Sequence, residues 1–373
     1  MLRYSLQTSS LVQPAASKMQ ESALPVSLLG LATAVPPYVV PQSEVIARAR
    51  RVFGTVFERH PGMIEVFAHT GIEQRFAVRP MEWYEQPHGW QERNAAYLDG
   101  ACALYAEVAA RALAGAEIAA SDVDAVVTVS STGISTPSLE ARLATPLGLR
   151  ADVSRVPVFG LGCAGGVTGL SLAAKLARAT PGQIVLFVAV ELCTLAFSKD
   201  RVEKADIVAA ALFADGAAAC VLQAGADGRT LARIGIGYEH LWPETLDIMG
   251  WSVDPAGLGV ILSPALPAFV AKQMGVAAGR FIGAAGWQDR GPRFVCHPGG
   301  AKVLTAVEEA LAVPPETFAQ ERAVLRDFGN MSAPTVLFVL ERALAAGLSG
   351  PAALAALGPG FTASFLALEA GHG

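Results

Sequence analysis

Charge is scarce in this chain: only 16% of its 373 residues are Asp, Glu, Lys or Arg, and the net charge is −5. No cluster of Lys and Arg interrupts that balance, so the footprint of a nucleic-acid-binding surface is missing and nucleic acid is excluded as the main partner. Long apolar runs are missing too. The composition is 52% hydrophobic, yet Gly, Pro, Ser or a charged residue breaks every run before the roughly 18 residues needed to span a bilayer. No membrane span is expected, and the apolar excess must instead fill a large core and a subunit interface.

Cysteine is also sparse. Cys102, Cys163, Cys193, Cys220 and Cys296 are odd in number and widely spaced. They form no disulfide framework, and no CxxC pair marks a zinc site, so a reducing cytoplasm is the expected compartment. Residues 1–24 contain Arg3, Lys18 and Glu21 but no apolar core of signal-peptide length, and are expected to be a disordered extension, with Met19 an alternative start. The histidines His60, His69 and His88 fall in the irregular stretch Arg59 to Asn94 without partners at ligand spacing, so no metal site is expected there.

What is present is an alternation of short apolar strands and helix-forming runs. Val26 to Gly30, Asp124 to Ser131, Val156 to Gly160, Gln183 to Val190, Ala217 to Ala224 and Arg293 to Cys296 read as strands. Helices are expected from about Gln42 to Phe53, Ala101 to Ala114, from Thr136-Pro137 onward, Val167 to Arg178, Asp206 to Phe213, Ala301 to Leu311, and after Pro334. This alternation implies an α/β layered fold with a mostly parallel central sheet. No Gly/Ser linker divides it. The second part echoes the first: Phe-Gly precedes Asn330 as Phe-Gly precedes the stretch leading to Cys163, each at a strand-to-helix turn. A duplicated fold would set the two turns face to face.

The stretch around which the chain is organised is Phe159-Gly160-Leu161-Gly162-Cys163-Ala164-Gly165-Gly166. It places one cysteine between a strand and a helix, with small residues on both sides. A helix N-terminus lowers a thiol pKa from about 8.5 towards roughly 3.5–7.5, which would make Cys163 a thiolate nucleophile. A small buried residue in a tight turn has the same local sequence, and the stretch alone leaves both open. Two other strand-end turns offer His297 and Asn330, which could merely cap a helix and fill a Gly-Asn turn. Together the three are complementary: a thiolate needs a cationic partner, and a thioester needs oxyanion donors.

With these motifs in view, the sequence resembles the type III polyketide synthases, chalcone-synthase-like acyltransferases of the thiolase superfamily, from about Val26 to Glu369. The resemblance rests on Gly162-Cys163-Ala164-Gly165-Gly166, His297-Pro298-Gly299-Gly300, Gly329-Asn330-Met331-Ser332-Ala333-Pro334-Thr335 and Gly358-Pro359-Gly360-Phe361-Thr362. It implies a thiolase-like α-β-α-β-α fold of two pseudo-repeated halves, 25–225 with the cysteine and 226–373 with the histidine and asparagine. It implies that Cys163 carries an acyl group taken from an acyl-CoA starter, while His297 and Asn330 hold the thioester oxygen of malonyl-CoA during decarboxylation. No metal or redox cofactor is implied, since the substrates bring the CoA, and a homodimer is implied.

The same resemblance assigns Phe213, Val260, Cys193, Ala196, Gly358, Pro359 and Gly360 to the substrate cavity, and Thr136 to the cavity of a partner subunit. Small residues at Val260 and Ala196 imply room for a long fatty acyl starter and an alkylpyrone or alkylresorcinol product. Plant relatives grip CoA phosphates with basic residues on an early helix, but here Gly62 to Arg75 supplies only Arg75. Lys302 is the candidate substitute, with Gly299 and Gly300 beside it. Rival readings are a ketoacyl synthase III-like or hydroxymethylglutaryl-CoA synthase-like enzyme, a non-catalytic synthase-like binding subunit, and a redox sensor built on Cys163. His297-Pro298-Gly299 and Met331 speak against the first of these.

Overall fold

A computed structural model describes residues 24–198, 201, 203–226, 228 and 230–371. The expected N-terminal extension, apart from Leu24, lies outside the described residues.

Nine strands make the central sheet: β1 (Val26–Ala34), β2 (Val123–Val129), β3 (Ser154–Val158), β4 (Ile184–Leu192), β5 (Asp215–Ala224), β6 (Ala232–Leu241), β7 (Arg293–Cys296), β8 (Gly350–Gly358) and β9 (Thr362–Ala370). Their order across the sheet is β7-β8-β9-β6-β1-β5-β4-β2-β3. Counted within each part, the first five strands are arranged 3-2-4-5-1. The last four repeat that order without its third strand, so the echo in the sequence is a true repeat of topology. The halves meet where Val26–Leu28 of β1 pairs with Ala232–Ile234 of β6.

The sheet is mixed rather than mostly parallel. Only β2 with β3, β2 with β4, and β7 with β8 run parallel. The other neighbours are antiparallel. Alternation of strands and helices implies a parallel sheet only when every helix crosses over a sheet face. Here Lys204–Leu212, between β4 and β5, packs chiefly on Glu65–Ala68 and on the strand Gly257–Leu262 at the strand ends. The chain therefore returns beside β4 in the opposite direction, and β8 reaches β9 through a three-residue turn that no helix interrupts.

Five helices complete the layers: α1 (Trp90–Gly115), α2 (Gly165–Ala179), α3 (Leu266–Ala284), α4 (Ala301–Leu311) and α5 (Thr335–Ala345). Three apolar cores separate them. One lies between α1 and the first half of the sheet, another between α3, α4 and the second half. The third encloses α2 and α5 between the two sheet faces. A helix segment buried on all sides needs small or apolar residues all round, and the N-terminal parts of both come close to this: Thr335 to Leu340 is buried without a break, and α2 buries Gly165, Gly166, Gly169, Ala173 and Ala174 among others. The approach is closest at Gly166, where a Cβ would stand 2.2 Å from the Ala333 carbonyl oxygen. Glycine there lets the two halves bring their central helix ends together.

Several element limits differ from expectation. α1 begins at Trp90, eleven residues before the apolar periodicity becomes clear. The helix expected from Thr136 starts at Leu139, because Ser138 is still extended at φ −62°, ψ 162°. A hairpin, Met249–Asp254 with Gly257–Leu262, lies apart from the main sheet and carries Val260.

Candidate active site

Past β3 the chain turns through Gly160 and Gly162, whose φ values are +92° and +47°. Cys163 then sits in a single tight turn, Gly162–Ala164, directly ahead of α2. A side chain at Gly162 would meet the ring of Pro359, 2.7 Å away, so the β8–β9 turn packs on the cysteine turn. The sulfur is half-buried. Its surroundings push the thiol up to about 11: burial is the main cause, and hydrogen bonds from Ser332 and Asn330 oppose it.

His297 follows β7 immediately. Its backbone N–H donates to Ala355 O at 2.8 Å, and the preceding Cys296 N–H donates to buried Glu321 at 3.0 Å, which fixes the strand end. The ring is 7% exposed, and neither nitrogen has a hydrogen-bond partner among the described residues. Burial pushes it down to about 4. The surroundings of both groups thus act against the thiolate–imidazolium pair expected from sequence. Burial disfavours each charged form, and only mutual attraction can restore the pair.

Asn330 is held on both sides. Its N–H donates to Leu212 O at 3.0 Å and its C=O accepts from Ala214 N–H at 2.8 Å, bridging it to Phe213. Its Nδ2 donates to Gly299 O at 3.1 Å, and its Oδ1 accepts from Ser332 N–H at 2.8 Å. Cys163, His297 and Asn330, from turns far apart in sequence, line one cavity of about 490 Å³.

Phe213, Val260, Cys193, Pro359, Gly299, Gly300 and Lys302 line that cavity as well. Ala196 lines instead a second, mainly apolar cavity of about 100 Å³, which shares Cys193, Phe213 and Val260 with the first. Gly358 and Gly360 are outside both linings. Gly358 packs against Leu161 and Ala164, behind the cysteine turn. Thr136 is exposed and lines neither cavity of its own chain.

Arg75 is a correction. It is 3% exposed, with Nη1 donating to Ala210 O at 2.9 Å and Phe213 O at 2.7 Å, and Nη2 turned to Gln42 and Ala211 O. Those bonds hold the segment behind Phe213, and the guanidinium is walled off from any CoA phosphate. The exposed cations on the main cavity are Lys302 and Lys204.

Lys204, Ser332 and Glu191 escaped the sequence reading. Ser332 has φ +60° and its side chain lowers the Cys163 thiol against the effect of burial. Glu191 is wholly buried beside the cavity, its Oε2 accepting from Ser131 N–H at 2.9 Å and Thr132 Oγ1–H at 2.8 Å. Its Oε1 has no partner among the described residues, and burial pushes the carboxyl up to about 8. A signal for Glu191 was present: it is the lone acid in the apolar run of β4, and a buried carboxyl persists only with a purpose or a partner.

Comparison with known proteins agrees with this geometry. Residues 14–227 match the N-terminal domain of chalcone and stilbene synthases, and residues 234–368 match their C-terminal domain. The 1,3,6,8-tetrahydroxynaphthalene synthase of Streptomyces peucetius subsp. caesius is 35% identical, over 92% of this chain and 93% of its own. The alpha-pyrone synthesis polyketide synthase-like Pks18 of Mycobacterium tuberculosis is 30% identical, over 84% and 82%. Among solved structures, the tetrahydroxynaphthalene synthase of Streptomyces coelicolor A3(2), a bacterial type III polyketide synthase, superposes with a TM-score of 0.88 at 29% identity, covering 93% of this chain and 100% of that one.

Proposed function

Because the chain belongs to the chalcone and stilbene synthase family of type III polyketide synthases, and is therefore an acyltransferase, we propose that it extends a long-chain fatty acyl-CoA with malonyl-CoA, through an acyl group on Cys163, to an alkylpyrone or alkylresorcinol. The family match displaces the ketoacyl synthase III-like and hydroxymethylglutaryl-CoA synthase-like readings. In this scheme the Cys163 sulfur attacks the starter thioester, its proton passing to the neutral His297 ring. The carbon–sulfur bond to CoA breaks, and the CoA sulfur leaves with that proton.

Malonyl-CoA then binds in the same cavity. A ring N–H of His297 and the Nδ2–H of Asn330 donate to its thioester oxygen as the bond to the carboxylate breaks. CO₂ leaves, the enolate carbon attacks the acyl carbonyl, and the bond to Cys163 breaks with the sulfur leaving as a thiolate, so the chain passes to CoA lengthened by two carbons. Lys302 and Lys204 stand where CoA phosphates would enter, and CoA thioesters are the only small molecules the scheme needs. The working unit is a homodimer in the cytoplasm, with the exposed Thr136 entering the partner's cavity.

The observation that carries the starter is the apolar side cavity. It shares the lining residues Cys193, Phe213 and Val260 with the reaction cavity, and the small Ala196 lines it. Each methylene buried there contributes about 0.8 kcal/mol. With a panel of starter CoAs, Michaelis constants should therefore fall as the chain grows, and mass spectrometry should find alkyl-bearing products. Turnover of short or aromatic starters alone would refute the reading. So would 1,3,6,8-tetrahydroxynaphthalene as the product, the compound for which two of the relatives are named.

A further inference from the structure

The apolar side cavity is bounded on the side of the reaction cavity by Cys193, Phe213 and Val260, which line both. The rest of its lining is mainly apolar, Phe53, Ala49, Val52 and Met81 included, with Arg48 and Glu85 among its charged members. Arg48 lies on the helix Gln42–Val52, Glu82 on the short helix Met81–Tyr84, and Glu85 at the end of the latter. The Arg48 guanidinium bonds Glu44, Glu82 and Glu85, each at 2.7 Å, and its side chain is only 15% exposed. Arg51 pairs with Glu85 from outside, also at 2.7 Å. The cluster staples the two helices together where the cavity lining meets the surface, with Glu44, Glu82 and Arg51 exposed on its solvent side.

We propose that Arg48, clamped by Glu44, Glu82 and Glu85, is the end-stop of the acyl channel and sets the longest starter the enzyme accepts. The proposal rests on the fatty acyl reading above. Up to the cluster, every further methylene meets apolar wall and improves kcat/KM about fourfold. At the cluster, the next methylene must displace a guanidinium that already satisfies three carboxylates. It would leave the Arg48 guanidinium, whose side chain is 15% exposed, without its partners where it is poorly solvated. A polar plug therefore gives a sharp length limit, whereas an apolar wall could yield gradually by side-chain repacking.

The test measures kcat/KM on saturated acyl-CoA starters from butanoyl to icosanoyl for the wild type, Arg48→Ala and Arg48→Met. Arg48→Met keeps the aliphatic packing should the alanine variant fail to fold. The wild type is expected to rise with chain length to a maximum and then drop. In either variant the maximum should move to longer chains by at least two methylenes, with the first chains beyond the old limit improved by about tenfold or more. Starters well short of the limit should change less than about twofold. A length maximum that is present in the wild type and unmoved in a folded variant overturns the end-stop while leaving the acyl channel standing. No rise with length in the wild type overturns both.

Discussion

The two halves of the molecule meet at two turns that share a frame and differ in cargo. In each, a glycine of positive φ, Gly162 at +47° or Gly329 at +72°, is followed at once by the residue that faces the cavity, Cys163 or Asn330. In each, a central helix whose first turns are largely buried begins within a few residues. A Cβ-bearing residue seldom adopts that φ, so glycine is the residue that lets a strand-end or helix-end chain double back and present its successor. The fastening differs. Asn330 is gripped by backbone bonds to Leu212 and Ala214 and by its own amide to Gly299. Cys163 sits in one short turn against Pro359, half-buried, with Ser332 and Asn330 drawing its thiol down against burial. The repeated scaffold thus supplies two equivalent platforms. In the proposed mechanism the immobilised Asn330 is the donor, and the half-buried Cys163 is the atom that bonds to carbon.

The sharpest way to break that comparison is to remove one cargo at a time. Asn330→Ala should cost about 10²–10³ in overall turnover, as loss of an oxyanion donor does. It should nevertheless leave transfer of the starter onto Cys163 within severalfold of wild type, read by rapid quench and intact-protein mass. Loss of loading equal to the loss of turnover would show that the two turns do not divide the work.

Next in size is the point where the platforms touch. Gly166→Ala places a methyl against the Ala333 carbonyl and should destabilise the fold by about 2–4 kcal/mol in chemical denaturation. Gly54→Ala, whose Cβ meets nothing within 4 Å, should stay within about 0.5 kcal/mol. Equal effects at the two sites would mean that the contact is not tight.

A smaller change concerns the sulfur itself. Burial raises the Cys163 thiol and lowers the His297 ring, so proton transfer from one to the other depends on the mutual attraction of the charged pair. In His297→Ala, alkylation of Cys163 by iodoacetamide at neutral pH should slow by about tenfold or more, with its pH midpoint moved upward. An unchanged rate would show the helix end alone to be sufficient.

Least is expected from Glu191. Its folded-state value near 8 lies above the ordinary 4.5, so between those values the folded protein keeps a proton that the unfolded chain releases. Stability should therefore fall as pH rises through that window, and Glu191→Gln should flatten the decline by about 1 kcal/mol or more between pH 5.5 and 8. Asp215 and Glu321, each pushed up to about 7 by burial, add slopes of the same sign and remain in the variant.

Much of this site was legible because its signals are local. The strand Arg293–Cys296 and the helix Ala301–Leu311 fall where their patterns place them, and the turns at Cys163, His297 and Asn330 converge on one cavity. What was illegible is non-local. The direction of β5 beside β4 depends on where Lys204–Leu212 packs. Arg75 looks like an available cation in sequence, and only the fold reveals that carbonyls from 210 to 213 consume it. Ser332 looks like a turn filler until Met331 is seen bound to Thr335 Oγ1 at 3.0 Å, which helps set the turn that presents Ser332 to the sulfur.

The most direct test of the account is intact-protein mass spectrometry after mixing the enzyme with dodecanoyl-CoA, without malonyl-CoA, followed by peptide mapping. A single dodecanoyl adduct on the peptide that carries Cys163, absent in Cys163→Ala and discharged when malonyl-CoA is added, is the predicted result. An adduct that survives in Cys163→Ala, or no adduct while products still form, would contradict it.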